Sequence, residues 1–124
     1  MHKFDLKNRT AIITGGAQGF GLDIAKRFLN SGAKTIIWDI DESELIKVSK
    51  ELKSPNFSFN VVDISNYNKV KDTVSEMIKN SNIDILINNA GITGSTTSLW
   101  DYDVDEWNKI IQVNLMGTFN CCKC

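Results

Sequence analysis

Four short apolar runs, each handing over to a stretch with helical spacing, restrict this chain more than any other feature of its sequence. Thr10-Ala-Ile-Ile-Thr14, Thr35-Ile-Ile-Trp-Asp39, Phe57-Ser-Phe-Asn-Val-Val62 and Ile83-Asp-Ile-Leu-Ile87 have the length and β-branched content of buried strands. Between them the apolar residues recur at helical intervals. Ile24, Ala25, Phe28 and Leu29 follow Phe20, and Ser31-Gly32 closes that helix. Leu45, Val48 and Leu52 form a second face, with Asp41 or Ser43 available as its cap. Val70, Val74, Met77 and Ile78 form a third, with Ser65 offered as cap. A last helix runs through Trp107, Ile110, Ile111, Leu115 and Phe119.

Strands of five or six residues alternating with longer helices imply βαβ units and a parallel sheet. Right-handed crossovers then stack consecutive strands outward from the first. The expected fold is α/β: a partial Rossmann-type, doubly wound parallel sheet of strand order 3-2-1-4, forming one domain over residues 1–124. A ligand is expected at the carboxyl ends of the strands, where the order reverses between strands one and four.

Composition narrows the function. At 42% hydrophobic, 23% charged and a formal charge of −1, the chain has no electrostatic footprint for nucleic acid or an anionic membrane. No run approaches the ~20 apolar residues of a membrane span, and the first residues lack the apolar core of a secretory signal. Three cysteines crowd the end as Cys121-Cys122-Lys123-Cys124, an odd set that favours a reducing compartment, and the expected location is cytoplasmic. The embedded C-x-x-C closes a helical pattern instead of opening one, and a zinc site would have to recruit His2, the only histidine. The three thiols are read as small buried or half-buried residues, and no metal is expected.

The first strand runs directly into Thr14-Gly15-Gly16-Ala17-Gln18-Gly19-Phe20-Gly21. One glycine must turn the chain off the strand, another let backbone approach a diphosphate, and a third let helix pack on sheet; these needs fall on Gly15, Gly19 and Gly21, with the order of the last two open. Free N–H groups and the helix dipole at such a start favour phosphate. Asp39 ends the second strand 24 positions after Gly15, where a carboxylate can accept from ribose hydroxyls. That carboxylate would repel the 2′-phosphate of NADP, so NAD is the expected cofactor.

Taken together, these residues resemble the short-chain dehydrogenase/reductase family, in sequence order and over essentially the whole chain. Thr14-Gly15-x-x-x-Gly19-x-Gly21 looks like its cofactor loop, Asp39 like its ribose-binding acid, and Asp63 like the residue near the adenine. Asn88-Asn89-Ala90-Gly91 looks like its sheet-bracing segment, and Asn114 like the helix asparagine of its catalytic tetrad. The resemblance implies cofactor binding by Thr14, Gly15, Gln18, Gly19, Phe20, Gly21, Asp39, Ile40, Asp63, Ile64, Asn89, Ala90 and Gly91, and a catalytic role for Asn114. Plainer roles stand beside these: Asp63 capping its own turn, Asn88 and Asn89 satisfying backbone groups, Asn114 bonding backbone or a buried water, and Thr14 stabilising a turn.

The resemblance also implies a continuation carrying a serine and a Tyr-x-x-x-Lys pair, in which the tyrosine is the acid/base and the lysine lowers its pKa. Tyr67 and Lys71 spell that string, but directly after the third strand, where they read as a surface pair on a helix. The expected function is therefore an NAD-dependent oxidoreductase acting on an alcohol or carbonyl, present as a truncated nucleotide-binding half that is inactive alone. The alternative is a non-catalytic NAD-binding or oligomerisation module. An open fourth strand, with Ile83, Ile85 and Ile87 on one face and Leu86 on the other, predicts a homo-oligomer formed through that edge or the last helix.

Overall fold

The computed structural model describes residues 3–124. Four strands, β1 (Thr10–Thr14), β2 (Lys34–Asp39), β3 (Phe57–Val61) and β4 (Ile85–Ile87), form one parallel sheet in the order β3-β2-β1-β4. The expected topology is therefore the observed one. Every residue of β1 is buried, because helices cover both faces of the sheet. The strand consequently shows no polar-apolar alternation.

The register sorts the core into two layers. Ile12 pairs with Ile36 and with Leu86, and these join Trp38, Val62, Ile64, Val70 and Cys121 on one face. Ile13 pairs with Ile37 and with Ile87, and these join Ala17, Ala25, Leu45 and Val48 on the other. The helices follow the same division. α1 (Gly19–Asn30) and α2 (Glu42–Leu52) supply Ala25, Leu45 and Val48 to the second layer. α3 (Tyr67–Met77) and α5 (Thr118–Lys123) supply Val70 and Cys121 to the first.

Asp41 caps α2, accepting from the Glu44 N–H at 3.1 Å. A second bond, from the Ser43 hydroxyl, and the Glu44 N–H hold its carboxyl below the usual carboxylate range. Three details differ from the sequence reading. α3 is capped by Asn66, which accepts from the Lys69 N–H at 3.0 Å, whereas Ser65 bonds back to Asp63. β4 begins at Ile85, so Ile83 lies before the strand and packs in the layer of Leu86, not with Ile87. Strict two-residue alternation holds only within a strand. The last helix is not regular either: α4 (Val104–Ile111) passes through a π-helical segment (Gln112–Gly117) into α5.

Cys121 is buried, and that burial, reinforced by the neighbouring Cys122 and Cys124, pushes its thiol up to about 11. Such a thiol packs as a small apolar group. Cys122 and Cys124 are instead exposed, beyond the half-buried state expected of them. Among the described residues no three His, Cys, Asp or Glu side chains gather as a metal site, and no helix is long and apolar enough to cross a membrane. His2 lies outside the described residues.

Candidate functional site

The switch point between β1 and β4 is held by a small set of bonds. Thr14 is fully buried; its hydroxyl donates to the Ile87 carbonyl at 3.4 Å and accepts the N–H groups of Asn89 (3.1 Å) and Ala90 (3.0 Å). The Asn89 amide donates to the carbonyls of Thr14 (3.1 Å) and Gly15 (3.0 Å). Asn89 and Thr14 thus tie together the ends of two parallel strands just beyond their ladder. Asn88 faces the other way and donates to the Cys122 sulfur at 3.3 Å.

The three glycines sit in different surroundings. Gly15 takes φ +64°, and a Cβ there would lie 2.8 Å from the Ala90 Cα. Gly21 packs against the loop: a Cβ would lie 2.5 Å from the Asn89 amide nitrogen and from the Gly15 carbonyl. Gly19 takes φ +58° with nothing within 4 Å of a Cβ, so it is the open position of the turn. Gly16, which the spacing argument passed over, is also required, since a Cβ would meet the Ile37 side chain at 2.7 Å.

Asp39 joins the second strand to this turn. One carboxylate oxygen accepts the Ala17 N–H at 3.1 Å, the other the Asp41 N–H at 3.2 Å. Asp63 curls back on its own turn, accepting both the Ser65 N–H (3.0 Å) and the Ser65 hydroxyl (2.6 Å). Asn114, in the π segment, makes a paired contact with one residue: it accepts the Ile92 N–H at 2.8 Å and donates to the Ile92 carbonyl at 2.9 Å.

Above the strand ends lies a cleft of about 590 Å³. Gly15, Gln18, Phe20, Asp39, Ile40, Asp63, Ile64, Asn89, Ala90 and Gly91 line it, so most of the residues singled out from the sequence meet in one place. Thr14, Gly19, Gly21 and Asn114 do not line it. Thr14 and Gly21 hold the glycine turn from within; Asn114 holds Ile92, which does line the cleft. The sequence reading missed Lys109, Gln112 and Val113, which supply the far wall. Their i, i+3, i+4 spacing would have placed them on one helical face, had the helix of Asn114 been set against the cleft.

The start of α1 differs from those of α2, α3 and α4 in its capping. α2, α3 and α4 are each capped by an acidic or amide side chain, at Asp41, Asn66 and Asp103. α1 follows Gln18, which makes no side-chain cap, and its first turn carries no acid. The side chain of Gln18 therefore does not close that turn.

The sheet order, the glycine turn and the cleft at the strand ends define a Rossmann-like α/β protein. The chain belongs to the short chain dehydrogenase family, whose family model matches residues 9–124. It is 35% identical over 117 residues to a 2-dehydro-3-deoxy-L-rhamnonate dehydrogenase (NAD(+)) of Sphingomonas, covering 91% of this chain and 45% of the relative. It is 38% identical to a 3-oxoacyl-[acyl-carrier-protein] reductase of Chlamydia pneumoniae, covering 94% and 48% respectively. Among solved structures, a short-chain dehydrogenase/reductase from Brucella melitensis, described as a glucose/ribitol dehydrogenase, superposes with a TM-score of 0.91 at 31% identity, covering 98% of this chain and 52% of that one. A 3-ketoacyl-(acyl-carrier-protein) reductase of the same organism, complexed with NADH, gives 0.89 at 32% identity, covering 96% and 49%. The chain spans about half the length of the curated relatives it matches.

Proposed function

We propose that this chain is the NAD-holding half of an oxidoreductase that moves hydride between NAD and an alcohol or carbonyl. The observation that carries the reading is the pairing, across one cleft, of an uncapped, acid-free helix start with the Asp39 carboxylate. The residues fit a dinucleotide on the chemistry of their donors. The N–H groups at the start of α1, approached over the open Gly19, suit a diphosphate. Asp39 suits the hydroxyls of the adenosine ribose, and Ile40, Ile64 and Asp63 suit an adenine ring with a polar edge. Gly15, Asn89, Ala90 and Gly91 close the floor. When bound, NAD supplies the hydride-accepting ring; the chain's own residues bind and orient it, and Asn114 fixes Ile92 at the margin of that wall.

The 124-residue chain by itself is read as binding without turnover. Of its two tyrosines, Tyr67 opens α3, and Tyr102 stacks edge-on against Trp107 at 5.6 Å. Neither lines the cleft, so neither stands where an acid/base group would meet a substrate oxygen. Isothermal titration of the purified chain is expected to show NAD binding roughly tenfold or more tighter than NADP, because the 2′-phosphate meets a like charge. The expected rate of NADH formation with simple alcohols is indistinguishable from that without protein. Absence of NAD binding at millimolar concentration refutes the reading; turnover refutes the inactivity of the chain alone.

A second reading, a module that binds and assembles without catalysis, is favoured by an exposed apolar stripe. Trp107, Ile111, Leu115 and Phe119 are 48%, 37%, 61% and 53% exposed along α4, the π segment and α5. Light scattering is expected to show self-association through that stripe, reduced by Leu115→Lys; a monodisperse monomer at high concentration is the contrary result.

A further inference from the structure

Asn120 is a polar side chain sealed inside the protein, 3% exposed, and no sequence argument gave it a role. Its amide donates to the Ile64 main-chain carbonyl at 2.8 Å, across 56 residues of sequence. Three residues earlier, Gly117 brings the same helix so close to Ile64 that a Cβ would lie 2.6 Å from its side chain. Backbone bond and side-chain contact therefore clamp one residue from two directions. Ile64 stands in the cleft wall between Asp63 and Ser65, and the Asp63 carboxylate is turned by its bonds to Ser65.

From this geometry we infer that Asn120 is a positioning residue for the adenosine end of the dinucleotide, setting through Ile64 where the Asp63 carboxylate stands. The inference rests on the NAD reading above and adds to it a residue outside the cleft. The physical reason is the asymmetry of a buried bond. Without the amide, the Ile64 carbonyl is left unpaired in an apolar layer, and the segment can recover its hydrogen bond only by shifting toward water. Such a shift rotates Asp63 on its turn. The glycine loop, held by Thr14, Asn89 and Asp39, is untouched.

A ratio of affinities tests this, because it does not depend on the fraction of folded protein. NAD and nicotinamide hypoxanthine dinucleotide differ at the edge of the purine ring, where a 6-amino donor is replaced by a carbonyl acceptor. A carboxylate fixed against that edge is expected to favour NAD by roughly tenfold in calorimetric titration of the unaltered chain. In Asn120→Leu the preference is expected to fall to about twofold or less, with Asn120→Ser measured alongside it in case the apolar variant does not fold. Val48→Ala, in the opposite core layer, is the comparison for general loosening and is expected to keep the full preference. An unchanged preference in the Asn120 variants, or an equal loss in Val48→Ala, overturns the inference while leaving the NAD reading intact. So does a chain that binds both dinucleotides alike. A chain that binds neither removes the NAD reading and this inference with it.

Discussion

Asp39→Arg is expected to weaken NAD binding by about a hundredfold and to bring NADP level with it or ahead, measured by titrating both dinucleotides into the same preparation. Each hydrogen bond from a ribose hydroxyl to an ionised acceptor is worth about 1.5–3 kcal/mol, and a factor of ten corresponds to about 1.4 kcal/mol. A guanidinium in its place reverses the charge that a 2′-phosphate encounters. The substitution also costs stability. Ala17 is buried, and its N–H loses the acceptor at 3.1 Å, which is worth about 1–3 kcal/mol. Because the selectivity ratio is insensitive to how much protein is folded, the two effects separate cleanly. Asn66→Ala is the control: it removes the cap of α3 outside the cleft and is expected to leave the ratio within about twofold. Unchanged NAD affinity in Asp39→Arg would remove the adenosine sugar from this part of the cleft.

The second large effect is a contrast between two glycines that share a left-handed backbone. Gly15→Ala is expected to lower the folding free energy by about 3 kcal/mol. Left-handed φ costs a residue with a Cβ about 1–2 kcal/mol, and an added atom 2.8 Å from the Ala90 Cα forces apart the two strand ends that Thr14 and Asn89 hold together. Gly19→Ala carries the same backbone cost but meets nothing within 4 Å, so its stability loss is expected to stay near 1 kcal/mol. Its NAD affinity, by contrast, is expected to fall by roughly tenfold or more, because the methyl group occupies the approach to the N–H groups of α1. Urea denaturation and calorimetry on the two variants check the pair. Equal affinity loss at matched stability would mean that the diphosphate does not pass over Gly19.

The fold was legible from sequence for a simple reason. A parallel sheet buried on both faces demands near-continuous apolar strands, and the crossovers demand amphipathic helices of sufficient length. Both signals are local and strong in Ala11 to Ile13, in Ile36 to Trp38 and in the Leu45–Val48–Leu52 face. The shorter elements were less legible. Ile83 carries the same apolar character as Ile85, yet it precedes the strand: the Asp84 N–H already bonds the Thr10 carbonyl, and the Asp84 carboxylate accepts the Thr10 N–H at 2.8 Å. Asn66 caps α3 while Ser65 is held by Asp63, a division between neighbouring side chains that spacing does not encode. The π segment was invisible for a similar reason, since Asn114 and Gly117 satisfy distant partners, Ile92 and Ile64, that no helical period reveals.

By itself, the sequence determined the order of strands, the glycine turn, the acid that faces it and the family to which the chain belongs. These depend on side-chain chemistry at fixed separations along the backbone. Only the tertiary structure decided which glycine packs and which stays open, that Asn114 grips Ile92, and that Lys109, Gln112 and Val113 wall the cleft. Those facts depend on distances between segments far apart in the chain, and such distances exist only once the two core layers have closed on the sheet.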